Sequence, residues 1–290
     1  MILLAGAAGT LGGAVVNALK NENLKFRCLD LKEDKLKEYE KNGIEIICGN
    51  LSDRDTIGKA LQGVKTVISV VGLQKENEEV KYMDVDFKGN RNLMEASKRL
   101  GAEQFIYVSA LGTSPDAKRK VHQAKWLMEE ALRNSGLKYT IFRPSGFFSD
   151  FVFYFGKQCK EKNSFTLIGS GEMKVQPIHI DDLAKCIVKS IGNPKAFNKV
   201  FPIGGPDRMT LNELIEFYGE FFGKKIKIRH VPMGLMEFLA TVTGGKIMSR
   251  DFLLRLKTDS ICDSREVRET TGVEFTSLKD YIKKFDWSKI

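Results

Sequence analysis

Met1-Ile2-Leu3-Leu4-Ala5-Gly6-Ala7-Ala8-Gly9-Thr10-Leu11-Gly12-Gly13 opens the chain, and Phe26-Arg27-Cys28-Leu29-Asp30 follows the helical run Val15 to Leu19. An apolar strand, three spaced glycines, a helix, a second strand and a terminal acid come in that order, which is the pattern of a dinucleotide half-site. Gly6 allows a tight turn, Gly9 lets backbone approach a pyrophosphate, and Gly12 lets the helix pack closely on the sheet. Thr10 and Leu11 start that helix, whose N–H groups hold phosphate without a lysine. The Gly-Lys-Ser/Thr ending of a Walker A loop is missing. Asp30 is placed to accept hydrogen bonds from both hydroxyls of an adenosine ribose, which favours NAD(H). A 2′-phosphate there would meet like charge, and Leu31 stands where an arginine would help. Lys32 and Arg27 keep NADP(H) open as the less favoured cofactor.

Outward from this stretch, strands and helices alternate. Ile44 to Cys48, Val67 to Gly72, Phe105 to Ser109 and Tyr139 to Pro144 read as strands. Charged or amphipathic helices separate them, over 31–42, 55–61, within 80–100 and over 122–134. This order predicts an α/β fold: a doubly wound, mostly parallel Rossmann sheet with a smaller C-terminal lobe built from late excursions. Val70, at the end of the fourth strand, falls beside the cofactor crevice. Residues 1–145 form the dinucleotide-binding core in this reading. Residues 146–290 are a mixed region that completes the core and forms a substrate or partner lobe. Five phenylalanines and a tyrosine crowd residues 147–155. They suit either core packing or the wall of an apolar pocket or docking patch. His179 reads as a structural hydrogen bonder, Thr210-Leu211-Asn212-Glu213 as a capping box, and Met233 to Val242 as an apolar stretch able to lie on a bilayer or in a cleft.

The net charge of +9 comes from 46 Lys and Arg against 37 Asp and Glu, spread through most of the chain. A nucleic-acid binder would concentrate its cations on one element, so no nucleic-acid partner is expected. The excess still favours anionic partners, and peripheral membrane contact stays open. Five well-separated cysteines, no Cys-x-x-Cys and only three histidines argue against a metal site or disulfide scaffold. They suit a reducing, cytoplasmic setting, or an organellar stroma or matrix if a transit peptide has been removed. No apolar run is long enough for a membrane span.

The assembled pieces resemble the short-chain dehydrogenase/reductase superfamily, in its atypical NmrA-like, Ycf39-type branch of NAD(P)-binding proteins. Those pieces are Gly6 to Gly12, Asp30, Gly49-Asn50-Leu51, Val85 to Asn90, Phe105 to Ser109, Lys125, Arg143-Pro144-Ser145 and His179 to Ala184. The resemblance implies cofactor contacts from Asn50, Leu51 and Lys125 as well as the opening loop. In active superfamily members a tyrosine four residues before a lysine moves the proton, and a serine orients the substrate. Lys125 falls on the lysine and Ser109 near the serine, but Val121 occupies the tyrosine position and can neither donate nor accept a proton. His122, one turn before Lys125, is the candidate replacement acid/base.

Two functions therefore stand side by side. One is an oxidoreductase passing hydride to or from an apolar carbonyl, alcohol or alkene, with His122, Ser109 and Lys125 at the chemistry. The other is a non-catalytic nucleotide-binding assembly factor, accessory subunit or redox-sensing regulator, which the missing tyrosine fits. The partner is accordingly a small apolar molecule or a protein assembly. Oligomeric state is not written in the pattern.

Overall fold

Leu3, Leu4 and Ala5 are wholly buried because the strand they belong to runs through the middle of the sheet. The computed structural model describes residues 1–245 and 248–290. In chain order the elements are β1 (Ile2–Ala5), α1 (Thr10–Asn21), β2 (Phe26–Asp30), α2 (Glu33–Glu40), β3 (Glu45–Cys48), α3 (Arg54–Ala60) and β4 (Thr66–Ser69). A π-helical turn, Met83–Gly89, then runs into α4 (Asn90–Arg99), followed by β5 (Gln104–Val108), α5 (Lys120–Arg133) and β6 (Lys138–Pro144). The sheet order is β3-β2-β1-β4-β5-β6, with Lys199–Ile203 as a seventh strand beside β6. Strands β1 to β6 pair in parallel throughout. This is the doubly wound α/β architecture, and the winding reverses between β1 and β4.

Alternation along the strands decides which side each residue covers. Leu3, Leu29, Val67, Phe105, Tyr107 and Ile141 join Ile57, Leu93, Met128 and Leu132 of α3, α4 and α5 in one core. Leu4, Cys28, Ile68, Ile106 and Phe142 are equally buried toward the other face. There Val15, Val16 and Leu19 of α1 are buried, each worth about 1.5–3 kcal/mol of apolar burial, and α1 packs on the helix Ile180–Lys189. Burial and the neighbouring Asp30 carboxylate push the Cys28 thiol up to about 12. Arg27 is a buried exception. Its Nη1 donates to the carbonyls of Lys59, Ala60 and Gln62 at 3.2, 2.6 and 3.2 Å, and its Nη2 meets Glu45 at 2.6 Å. A cation thus satisfies the carbonyl end of α3.

The chain divides into two compact units. The first holds Met1–Arg143, Ile180–Pro202 and Ser264–Glu274; the second holds Pro144–His179, Ile203–Asp263 and Phe275–Ile290. The second unit has its own core of Phe148, Phe151, Phe165, Leu214, Ile215, Tyr218 and Ile282. Its helix Leu211–Phe221 starts with a complete capping box: Glu213 N–H donates to Thr210 Oγ1 at 3.1 Å, and Thr210 N–H to Glu213 Oε2 at 2.7 Å. The aromatic run splits. Phe148 and Phe151 are buried, Phe155 stacks on Phe165 at 5.3 Å, and Phe153 and Tyr154 face solvent. His179 packs against the rings of Phe148 and Tyr281 at 5.4 and 5.0 Å.

Gly58 lies inside α3 with nothing within 4 Å of where a Cβ would stand. Gly58→Ala should therefore stabilise the protein by about 0.5–1 kcal/mol through the lower entropy of the unfolded chain. A urea midpoint that stays level or falls would contradict this reading of α3.

Candidate functional site

The winding reversal puts the ends of β1 and β4 side by side, and the loop between β1 and α1 lies over them. Gly6 has φ +87°, a left-handed conformation that favours glycine. A Cβ there would stand 3.1 Å from the Val70 carbonyl carbon and the Val71 nitrogen, so the loop rests directly on the end of β4. Gly12 is tighter: its Cβ would fall 2.0 Å from the Gly6 oxygen and 2.7 Å from Ala7 backbone. Gly9 is the N-cap of α1, and no side chain caps the helix start. Thr10 is exposed and Leu11 half-buried beside it. The helix N-terminus has no acidic side chain in its first turn and follows an exposed glycine, an arrangement of backbone N–H groups that suits an anion.

Asp30 stands at the rim of this loop. Its Oδ2 accepts from Ala8 N–H at 2.9 Å and its Oδ1 from Lys32 N–H at 3.1 Å. Each oxygen keeps acceptor capacity for a hydroxyl. Gly49 N–H donates to the Asp30 carbonyl at 3.0 Å, which brings the turn holding Asn50 and Leu51 alongside. Asn50 Oδ1 accepts from Ser52 N–H at 3.0 Å, closing that turn, and its side chain is exposed. Leu51 is buried in the core and supports Gly89. The structure therefore gathers Gly6, Gly9, Gly12, Asp30 and Val70 around one loop. Asn50 is at its margin and the Leu51 side chain is turned inward.

The three candidate catalytic side chains each have their own partner. Lys125 is buried, with Nζ 3.1 Å from Asp86 Oδ1, 3.1 Å from the Val108 carbonyl and 5.2 Å from the centre of the Tyr107 ring. Asp86 is 0% exposed and sits in the π-helical turn. Its Oδ2 accepts from Leu73 N–H at 3.0 Å, whereas Oδ1 is close to Lys125 but has no aligned hydrogen-bond donor among the described residues. A Cβ on Gly72 would come within 3.0 Å of Asp86 Oδ1 and 3.5 Å of Lys125 Nζ, so this pair lies just beyond β4. Ser109 Oγ donates to Glu129 Oε1 at 2.6 Å. Glu129 is also 0% exposed and accepts from Arg143 at 2.9 and 2.6 Å and from Arg133 at 2.8 Å. His122 Nε2 lies 3.2 Å from Arg119 Nη1. Arginine can only donate, so that nitrogen is the acceptor and its lone pair is engaged.

Tyr107 does not replace the missing tyrosine. It is wholly buried, its hydroxyl donates to the Asp86 carbonyl at 3.3 Å, and burial, then the Asp86 and Glu129 charges, hold its pKa well above the ordinary value. Three polar residues were not singled out from sequence: Asp86, Glu129 and Asn90. Asn90 accepts from Ser69 Oγ at 2.5 Å and donates to the Val71 and Val85 carbonyls at 3.2 and 3.0 Å, tying the π-helical turn to the end of β4. Interruptions of this kind often mark functional sites, but neither the π-helical turn nor the burial of Asp86 is written in the local sequence.

The profile of the NmrA-like family matches residues 1–282. The photosystem II assembly factor Ycf39 of Cyanophora paradoxa is 27% identical over 81% of this chain and 73% of its own length. An NAD(P)H azoreductase of Xenophilus azovorans is 28% identical over 84% of this chain and 81% of its own. Among solved structures, the NADPH-dependent quinone oxidoreductase of Escherichia coli in complex with NADPH superposes with a TM-score of 0.81 at 21% identity, covering 98% of this chain and 99% of that one. That last likeness is one of fold.

Proposed function

The chain belongs to the NmrA-like family, and on that premise we propose that it is an NAD(P)-dependent oxidoreductase that exchanges hydride with a small apolar, conjugated substrate, using NAD(H) in preference to NADP(H). The observation that carries the cofactor reading is the uncapped start of α1 over Gly6, Gly9 and Gly12, with Asp30 Oδ2 2.9 Å from Ala8 N–H. These residues fit a dinucleotide: the glycines leave room for the diphosphate, the helix start offers N–H donors, and Asp30 offers acceptors to ribose hydroxyls. Arg27, the nearest strand cation by sequence, is occupied at the end of α3, so it is not available to a 2′-phosphate.

Bound, the nicotinamide supplies or takes the hydride. This chain's residues have the narrower task of placement. Lys125 would bind the nicotinamide ribose, with Asp86 fixing its ammonium. Val121 in the tyrosine position cannot move a proton, the Nε2 lone pair of His122 is engaged by Arg119 and Tyr107 is inaccessible, so the tyrosine's acid/base role has no direct replacement among these side chains. A conjugated electrophile such as a quinone or azo compound suits that arrangement, because it accepts hydride first and takes its proton from water. The name of the azoreductase relative supports this substrate class.

A second reading has its own observation. Ser109 closed on Glu129 and Lys125 closed on Asp86 are what a nucleotide-binding assembly or accessory protein would retain, and Ycf39 is named as such a factor. NADH oxidation by the purified chain with a water-soluble quinone separates the two. Turnover supports the enzyme; NAD(H) binding without turnover of quinone or azo acceptors supports the accessory role. Asp30→Arg should weaken NAD(H) by about ten- to a hundredfold, the equivalent of hydrogen bonds to a charged group worth about 1.5–3 kcal/mol, and shift preference toward NADP(H). An unchanged preference in a fluorescence titration would remove Asp30 from the ribose.

A further inference from the structure

The helix Met233–Val242 leaves its largest apolar side chains outside. Leu235, Phe238 and Val242 are 50%, 64% and 67% exposed, while Ala240 on the opposite side is 2% exposed. Spacings of three and four put the exposed three on one ridge of a helix about 15 Å long. The helix's polar groups are used elsewhere: Glu237 pairs with Lys257 at 2.5 Å, and Thr241 Oγ1 accepts from Arg250 at 3.3 Å. The ridge itself is left wholly apolar.

The surrounding sequence is the most cationic of the chain. Residues 224–257 hold eight Lys and Arg against two Asp and Glu, which is six of the nine net positive charges. Lys225, Lys227 and Arg229 alternate into and along the strand Lys227–Val231 that leads to the helix and are exposed, while Ile226 and Ile228 pack on the core of the second unit. Arg250, Arg255 and Lys257 follow the helix and are exposed too.

We propose that this helix and its cationic flanks dock the protein on an anionic lipid surface, with Leu235, Phe238 and Val242 entering the boundary between headgroups and acyl chains. The proposal is independent of the cofactor reading. An interfacial helix needs an apolar ridge and flanking cations, and both are present. No helix among the described residues is long and apolar enough to cross a membrane, so the helix lies on the surface. A second copy is the poorer occupant: two such segments would bring like charges together, and one ridge of three side chains falls short of the area of about 1,200–2,000 Å² in a stable interface.

The test is flotation of the full chain with phosphatidylcholine vesicles, with and without phosphatidylglycerol. The protein should float only with the anionic vesicles, and binding should weaken about tenfold or more at about half-molar salt, where screening acts within a few Å. Leu235→Glu with Phe238→Glu, and separately Lys227→Glu with Arg229→Glu, should each reduce binding about tenfold or more. Phe238→Trp should shift its emission to the blue on anionic vesicles. Melting temperature and circular dichroism check that each variant is folded. No flotation with anionic vesicles, equal flotation with neutral ones, or folded double variants that bind as well as the parent would each overturn the proposal. So would dimerisation through the ridge with no blue shift on vesicles.

Discussion

Glu129→Ala is expected to cost about 3 kcal/mol or more of folding stability, the low end of what breaking a buried ion pair costs. The carboxylate is fully buried and takes four hydrogen bonds, from Ser109, Arg133 and twice from Arg143. Removing it leaves the Arg143 guanidinium without its acceptor beside the end of β5, and leaves Arg133 with Glu130 Oε1 at 2.6 Å alone. Arg133 and Arg143 keep 26% and 19% of their side-chain surface exposed, so water recovers part of the loss and holds the cost near its low end. Glu129→Gln keeps the shape and one acceptor oxygen and should lose about half as much. In a chain of this length the alanine variant should melt several degrees lower. A urea midpoint equal to the parent's would show that the cluster is not holding the first unit together. The same pair of variants bears on function: Ser109 loses its acceptor in Glu129→Ala, so a serine freed to contact substrate would change KM for a quinone while NAD(H) affinity stays level.

The parts legible in the sequence were those whose partners are close along the chain. The glycine loop, α1 and Asp30 lie within thirty residues, and each was marked by a residue type with one strong physical preference. The doubly wound order followed from alternating strand and helix periods in the same way. The closing of Lys125 on Asp86 and of Ser109 on Glu129 was not legible, because those pairs are set by how α4 and α5 dock on the sheet. Asp86 lay inside a stretch that resembled the family, but nothing local distinguished a buried acid from a solvated one. The run Met233 to Val242 failed to disclose its exposed ridge for a related reason: an apolar helix has the same periodicity whether its faces meet core or solvent. The crowded phenylalanines were ambiguous likewise, and they divided between core and surface.

Gly12→Ala and Gly13→Ala, neighbours in the first turns of α1, should have opposite effects. Both replace a helical glycine and gain about 0.8–1 kcal/mol of intrinsic helix preference. At Gly13 the new methyl meets the Tyr39 hydroxyl at 3.4 Å, an edge contact with a side chain that can yield. That variant should be as stable as the parent or slightly more so, with unchanged NAD(H) affinity. At Gly12 the methyl would overlap the Gly6 oxygen at 2.0 Å and the Ala7 backbone at 2.7 Å. Backbone cannot rotate aside as a side chain can, so α1 must lift from the loop. The Gly6 oxygen that is crowded also accepts from Gly9 N–H at 3.2 Å, so the displacement passes into the turn proposed to hold the diphosphate. Overpacking of this kind costs about 1–3 kcal/mol, enough to cancel the helix gain and leave a net loss. NAD(H) affinity should fall about tenfold or more, because helix-start donors act only at hydrogen-bond range. Urea unfolding and NAD(H) titration of the two variants read stability and binding separately. If Gly12→Ala binds NAD(H) as the parent does, the diphosphate does not rest on this loop; if both variants lose binding equally, the close approach of α1 to the loop is not what the site depends on.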